Sequence, residues 1–120
     1  MSEKERFHRW TLTEDDLTDL TPLKARDIIV KCFFEAQKET FARSKQDLGL
    51  KTTDEELLKT VSTSIRMVFK ELGVDFEKPT AEGLMKVVET LARKASSWGT
   101  PKDIIDFHGA QVMKVLQLLR

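Results

Sequence analysis

Two stretches of the chain carry apolar residues on one side of a helix and polar residues on the other. Within residues 54–72 and 81–98 the apolar positions recur at alternating spacings of three and four, which is the period of an amphipathic helix. The positions that we expect to face a core are Leu58, Val61, Ile65, Val68 and Leu72 in the first stretch, and Leu84, Val88, Leu91, Ala95 and Trp98 in the second. Each stretch predicts a helix with one face to bury.

A third stretch, residues 22–48, is apolar on nearly every side in its first half. Only Lys31 interrupts the apolar run over 28–34. A helix that is apolar all round is normally enclosed by other helices. The preceding Thr21 is a typical cap, and Gly49 can close the helix in the left-handed conformation. We expect a long central helix whose polar second half extends beyond the core.

Threonines and glycines divide the rest of the chain into helices. A Thr hydroxyl can accept a hydrogen bond from a first-turn N–H, and glycine can end a helix. Such caps are predicted at Thr13, Thr53, Thr80 and Thr100, and such ends at Gly73 and Gly99. The predicted fold class is all-α: a single-domain bundle of four main helices at 22–48, 54–72, 81–98 and 101–119, plus a short N-terminal helix that ends near Leu20. Residues 1–12 are predicted to form an N-terminal arm, and residues 13–120 the single helical-bundle domain.

Residues 53–63 align without gaps on residues 80–90. A stacked array of repeats usually needs about three or more units for stability. We therefore interpret the match as two helices that share a cap and an amphipathic spacing. A true internal repeat is the alternative.

Composition excludes several classes of function and leaves others open. The chain has 20 basic and 20 acidic side chains, and this balance disfavours a nucleic-acid partner. A single cysteine excludes an intrachain disulfide framework. No signal peptide and no apolar run of roughly 20 residues is present, so we expect a cytoplasmic protein without a membrane partner. The chain lacks Asn and Tyr, and its few amide side chains together with abundant Lys and Glu resemble the composition of heat-adapted proteins.

Candidate chemistry is limited to two residues. The sequence contains no nucleotide-binding, metalloprotease or hydrolase motif, and we predict no cofactor and no metal. His108 lies on the apolar stripe of the last helix, and Cys32 lies in the central helix. The adjacent Gly109 is expected to let a neighbouring helix approach closely. We favour packing roles for His108 and Cys32, because buried residues of these types usually pack.

The leading functional hypothesis is a protein–protein interaction module that associates with itself or with another protein. Its candidate interface residues are apolar side chains of the arm, the central helix and the last helix: Phe7, Trp10, Phe41, Val112, Val115, Leu116 and Leu119. Paired surfaces of this kind commonly form symmetric dimers. The alternative is an enzyme or small-ligand-binding bundle that uses a buried His108 and Cys32. A pocket lined by both residues would favour that alternative, and a weaker one is a nucleic-acid-associated regulator.

Overall fold

The computed structural model describes residues 10–48 and 53–119, with the backbone alone for residues 44–48. It contains four α-helices, which are α1 (Pro22–Leu48), α2 (Asp54–Leu72), α3 (Ala81–Ser97) and α4 (Lys102–Leu119). The described ranges contain no β-strand. The prediction of an all-α bundle is therefore confirmed.

Side-chain caps explain why the helices begin where the sequence predicts. The Thr53 hydroxyl accepts a hydrogen bond from the N–H of Glu56 at 3.1 Å, and the Thr80 hydroxyl accepts one from the N–H of Gly83 at 3.0 Å. Gly73 ends α2 with a φ of 70°, in the left-handed region that glycine tolerates. The predicted end at Gly49 lies outside the described residues.

The short N-terminal helix is smaller than predicted. Only Asp15–Leu17 form a single 3₁₀ turn, which is closed at its start by hydrogen bonds from the backbone N–H and the hydroxyl of Thr13 to the Asp16 carboxylate. The chain is extended at Thr18, and Asp19 has a φ of 50°. The helix cannot continue to Leu20 because these two residues redirect the chain into α1.

Helix α1 lies at the centre and contacts the other three helices. It packs most extensively against α4 and least against α3, while α3 also packs between α2 and α4. The expectation that other helices surround α1 is thus confirmed. The polar second half of α1 was expected to project beyond the core, and that expectation is wrong at Glu39, which is buried. Phe41, Ala42 and Arg43 are exposed, although Arg43 still bonds to Asp103 of α4.

The buried faces of α2 and α3 differ from the predicted stripes at three positions. Leu57 is buried while the neighbouring Leu58 is 43% exposed, and Leu72 is 38% exposed. Trp98, predicted to face the core, is 54% exposed. Consecutive residues point about 100° apart around a helix. Both can be buried, as Val68 and Phe69 are on α2, or only one, as at Leu57 and Leu58. Spacing alone does not tell whether one or both of two adjacent apolar residues face the core.

The segment before α1 packs on the same core as the helices. Trp10 and Leu12 both contact buried residues. The N–H of Leu12 donates a hydrogen bond of 2.7 Å to Gln111 Oε1 on α4, and Lys31 Nζ lies 5.7 Å from the centre of the Trp10 ring. Phe7, the other arm residue predicted at an interface, lies outside the described residues.

Across residues 10–48 and 53–119, no helix combines the length and the apolar character that a bilayer span requires.

Candidate functional site

A cavity of about 60 Å³ lies where α1, α3 and α4 meet. Of the three helices that α1 contacts, α3 is the one against which it packs least. The walls of the cavity are almost wholly apolar, and both Cys32 and His108 belong to them. The lining residues are Ile29, Cys32, Phe33, Ala36, Val88, Leu91, Ala92, Ala95, Thr100, Ile105, His108, Gly109 and Val112.

The cavity opens to the surface along the seam between α3 and α4. Ala92 is exposed on α3, and Val88, Ile105 and Gly109 are partly exposed beside it. A Cβ placed on Gly109 would meet no atom within 4 Å. The expectation that Gly109 allows a close helix approach is therefore wrong, because this glycine borders open space.

His108 is held at the cavity wall by a buried carboxylate. Its Nε2 lies 3.1 Å from Glu39 Oε1 on α1, and the two side chains are 3% and 7% exposed. Such a contact in a low-dielectric interior is strong, and burying either group without a partner is costly. The pair joins α1 to α4 and fixes the orientation of the imidazole.

Cys32 is a thiol in an apolar setting. It is 1% exposed, and burial raises its pKa from 9.0 to about 12, with a smaller contribution from the negative charge of Asp16. Since the thiolate is the nucleophile, Cys32 is a poor one at neutral pH. Its place in the cavity wall is that of a small hydrophobic side chain.

Two further polar contacts fasten α1 beside the cavity. Gln37 Nε2 donates a hydrogen bond of 3.2 Å to the hydroxyl of Thr100, which precedes α4. One turn beyond Glu39, Arg43 forms a two-pronged pair with Asp103, with distances of 3.0 and 2.6 Å. The hydrogen bonds that Arg43 donates to the Asp103 carboxylate raise the pKa of Arg43. Together with the Glu39–His108 contact, they connect α1 to α4 and to the residue Thr100 before it.

An aromatic pair closes the α1 side of the cavity. The Phe33 ring lines the cavity and packs edge-on against Trp98, with 6.1 Å between ring centres. This is the distance and angle that aromatic pairs favour. Trp98 therefore packs against Phe33 in the α1 wall of the cavity while remaining largely exposed itself.

Most of the predicted interface residues of α4 lie inside this chain's own core. Val112, Val115 and Leu116 are at most 5% exposed, and Leu119 packs against the same core. In this conformation Val115 and Leu116 are enclosed by this chain, and Val112 lines the cavity. Phe41 is 37% exposed on α1.

Small side chains on α3 explain the cavity, and a sequence signal for them existed. If the alignment of 53–63 with 80–90 is continued, Ile65 falls on Ala92 and Val68 on Ala95. Ile65 and Val68 are buried in the core, whereas Ala92 and Ala95 line the cavity. Glu39, by contrast, carried no signal, since nothing marks one glutamate of a charged stretch as buried.

Across the described residues, no group of three or more His, Cys, Asp or Glu side chains is arranged to hold a metal ion. Comparisons of the chain with protein-family models, with curated proteins and with solved structures find no match.

Proposed function

We propose that this chain is a small-ligand-binding helical bundle that takes an apolar molecule into the cavity between α1, α3 and α4. The observation that carries the proposal is the presence of Cys32 and His108 in the wall of one apolar cavity that opens at the surface. Ligand sites are typically concave and mostly apolar, with a few oriented polar groups. The buried Glu39–His108 pair is such an oriented group.

Binding is better supported than thiol catalysis. An active-site cysteine needs a depressed pKa, usually provided by a nearby cation or a helix N-terminus. Burial instead raises the pKa of Cys32 to about 12. The imidazole of His108 is engaged with Glu39 at 3.1 Å, so its contact with that carboxylate competes with the activation of a thiol.

A methyl-detected NMR titration with xenon tests the proposal. Xenon binds dry apolar cavities without needing a polar partner. We expect chemical-shift changes at the methyl groups of Ile29, Leu91 and Val112, which line the cavity. The methyl groups of Leu57 and Ile65 are buried elsewhere in the core and provide the internal control.

The matched variant is Ala92→Leu. Ala92 is exposed at the opening, so a larger side chain can be accommodated and can block entry. We expect this variant to fold normally and to lose the xenon-dependent shifts. Equal shifts at Ile65 and Val112, or unchanged shifts in the variant, would contradict the proposal.

Protein binding or self-association is the second candidate, and the exposure of Trp98 supports it. A tryptophan that is 54% exposed is the type of side chain that dominates protein interfaces. Light scattering tests self-association: we expect a mass above that of the 13.8 kDa chain at high concentration, and a Trp98→Ala variant closer to the monomer mass. A monomer at high concentration would refute self-association.

A further inference from the structure

We infer that the ligand carries an unbranched hydrocarbon chain, whose end enters the cavity between α3 and α4 while its polar group stays outside. This inference rests on the proposed function and narrows the ligand to one chemical class. Its basis is the size of the cavity, the form of its opening and the state of its buried polar groups.

The cavity is too small to enclose a whole ligand of the size of benzene. The cavity measures about 60 Å³, whereas a cavity of about 150 Å³ is known to take up benzene. Less than half of that space is present here. An unbranched chain has the smallest cross-section of the common apolar groups, so its end can fill the space while the remainder stays outside.

The opening suits a molecule that is only partly buried. Ala92 on α3 and Gly109 on α4 both line the cavity, and they have almost no side chain to obstruct its opening. The open space at Gly109 extends at least 4 Å from the position of a Cβ. Val88 and Ile105 line the cavity and are partly exposed, so they provide an apolar margin for the next part of the chain.

The buried polar side chains of the wall already bond to the protein. His108 contacts Glu39 at 3.1 Å, and Thr100 accepts a hydrogen bond from Gln37 at 3.2 Å. A polar head group that entered the cavity would lose its water, and the mostly apolar side chains of the wall could not replace it. The apolar end of the molecule therefore enters first, and the head group remains in solvent.

A titration with straight-chain alcohols of four to eight carbons tests this inference on the 120-residue chain. Each methylene that becomes buried is worth about 0.8 kcal/mol, so we expect the Kd to fall by up to about fourfold per carbon until the cavity is full, and then to level off. Hexanol should bind at least about tenfold more tightly than cyclohexanol, which has the same number of carbons in a wider ring. Methyl shifts of Ile29 and Val112 report occupancy.

Substitutions at the opening provide the matched controls. Gly109→Leu should abolish hexanol binding, and Gly109→Ala, which adds one methyl group, should weaken cyclohexanol more than hexanol. Ala110→Leu changes an exposed neighbour that does not line the cavity, and it should leave both affinities unchanged. Circular dichroism confirms that each variant is helical. If Gly109→Leu does not fold, the affinities of Gly109→Ala for cyclohexanol and hexanol still test the inference.

The outcomes separate this inference from the proposed function. If xenon shifts the cavity methyl groups but cyclohexanol binds as tightly as hexanol, or if the Kd is independent of chain length, the chain inference is overturned and the proposed function survives. A more than tenfold difference in Kd between hexanol, hexanoate and hexylamine would likewise overturn the chain inference, because the protein would then recognise the head group. If xenon fails as well, both proposals fall.

Discussion

Replacing Gly109 with alanine should stabilise the protein, whereas the same replacement at Gly83 should destabilise it. Both glycines lie within helices, so both variants lower the entropy of the unfolded chain and improve helix propensity. They differ in surroundings. A Cβ at Gly109 would meet nothing within 4 Å, but a Cβ at Gly83 would lie 2.9 Å from Val74 Cγ1. The backbone of Val74 is held by a hydrogen bond of 2.9 Å to Phe69, so Val74 cannot withdraw freely.

The expected magnitudes follow from these contacts. Gly109→Ala should raise the free energy of unfolding by about 0.5–1 kcal/mol, the usual helix-interior difference. With an unfolding entropy of about 2.1 cal/mol/K per residue and 120 residues, this corresponds to about 3 °C in Tm. Gly83 lies in the first turn, where the propensity gain is smaller, and overpacking costs about 1–3 kcal/mol. Its variant should therefore lose about 1 kcal/mol.

Urea denaturation followed by circular dichroism measures both variants against the parent chain. The m-value should stay constant, because neither change alters the surface exposed on unfolding. A loss of more than about 0.5 kcal/mol in Gly109→Ala would show that the space beside this glycine is filled. A gain in Gly83→Ala equal to that in Gly109→Ala would refute the packing argument at Val74.

Two further predictions concern the buried groups of the cavity wall. The pKa of Cys32 is about 12 instead of 9.0, so its thiolate fraction at pH 8 is about 1000-fold lower than that of an exposed thiol. Iodoacetamide should therefore modify Cys32 only on unfolding, and rapid modification of the native protein would contradict this. As the pH rises, Cys32 loses its proton in the unfolded state before it does so in the folded state. The free energy of unfolding should therefore fall between pH 9 and 12 by up to about 1.4 kcal/mol per pH unit more than in a Cys32→Ala variant. Parallel pH dependences of the two proteins would refute this expectation. In a double-mutant cycle, the coupling energy between Glu39 and His108 should be about 1–3 kcal/mol. The exposed Arg43–Asp103 pair is the control, and its coupling energy should be less than about 1 kcal/mol. Equal coupling energies for the two pairs would contradict the role of burial.

The helices of this bundle could be predicted from sequence because their signals are local. A threonine cap needs only the next three residues, and Gly73 needs only its own backbone freedom, so the bounds of α2 at Asp54 and Leu72 follow from the sequence alone. The length of the single 3₁₀ turn at Asp15–Leu17 was harder to predict from sequence. It depends on how the chain must turn to enter α1, and the residues of the turn do not determine that direction by themselves.

The site was only half predictable, because contacts across the bundle depend on which of several similar residues faces inward. His108 could be identified as unusual on an apolar stripe, and it does line the cavity. Its partner Glu39 could not, since the pairing spans 69 residues. The opposite error was made on α4, where apolar residues were predicted to form an exposed interface. Three of them pack in the core against α1 instead: Val112, Val115 and Leu116.

The correspondence between α2 and α3 also has an energetic consequence. Where α2 carries Ile65 and Val68, α3 carries Ala92 and Ala95, and the missing carbons leave the cavity. At about 24 cal/mol per Å³, an unfilled space of about 60 Å³ costs up to about 1.4 kcal/mol, a sizeable part of a typical margin of about 5–15 kcal/mol. Two substitutions, Ala92→Ile and Ala95→Val, would bring α3 to the pattern of α2. Two single-residue changes could therefore remove the cavity.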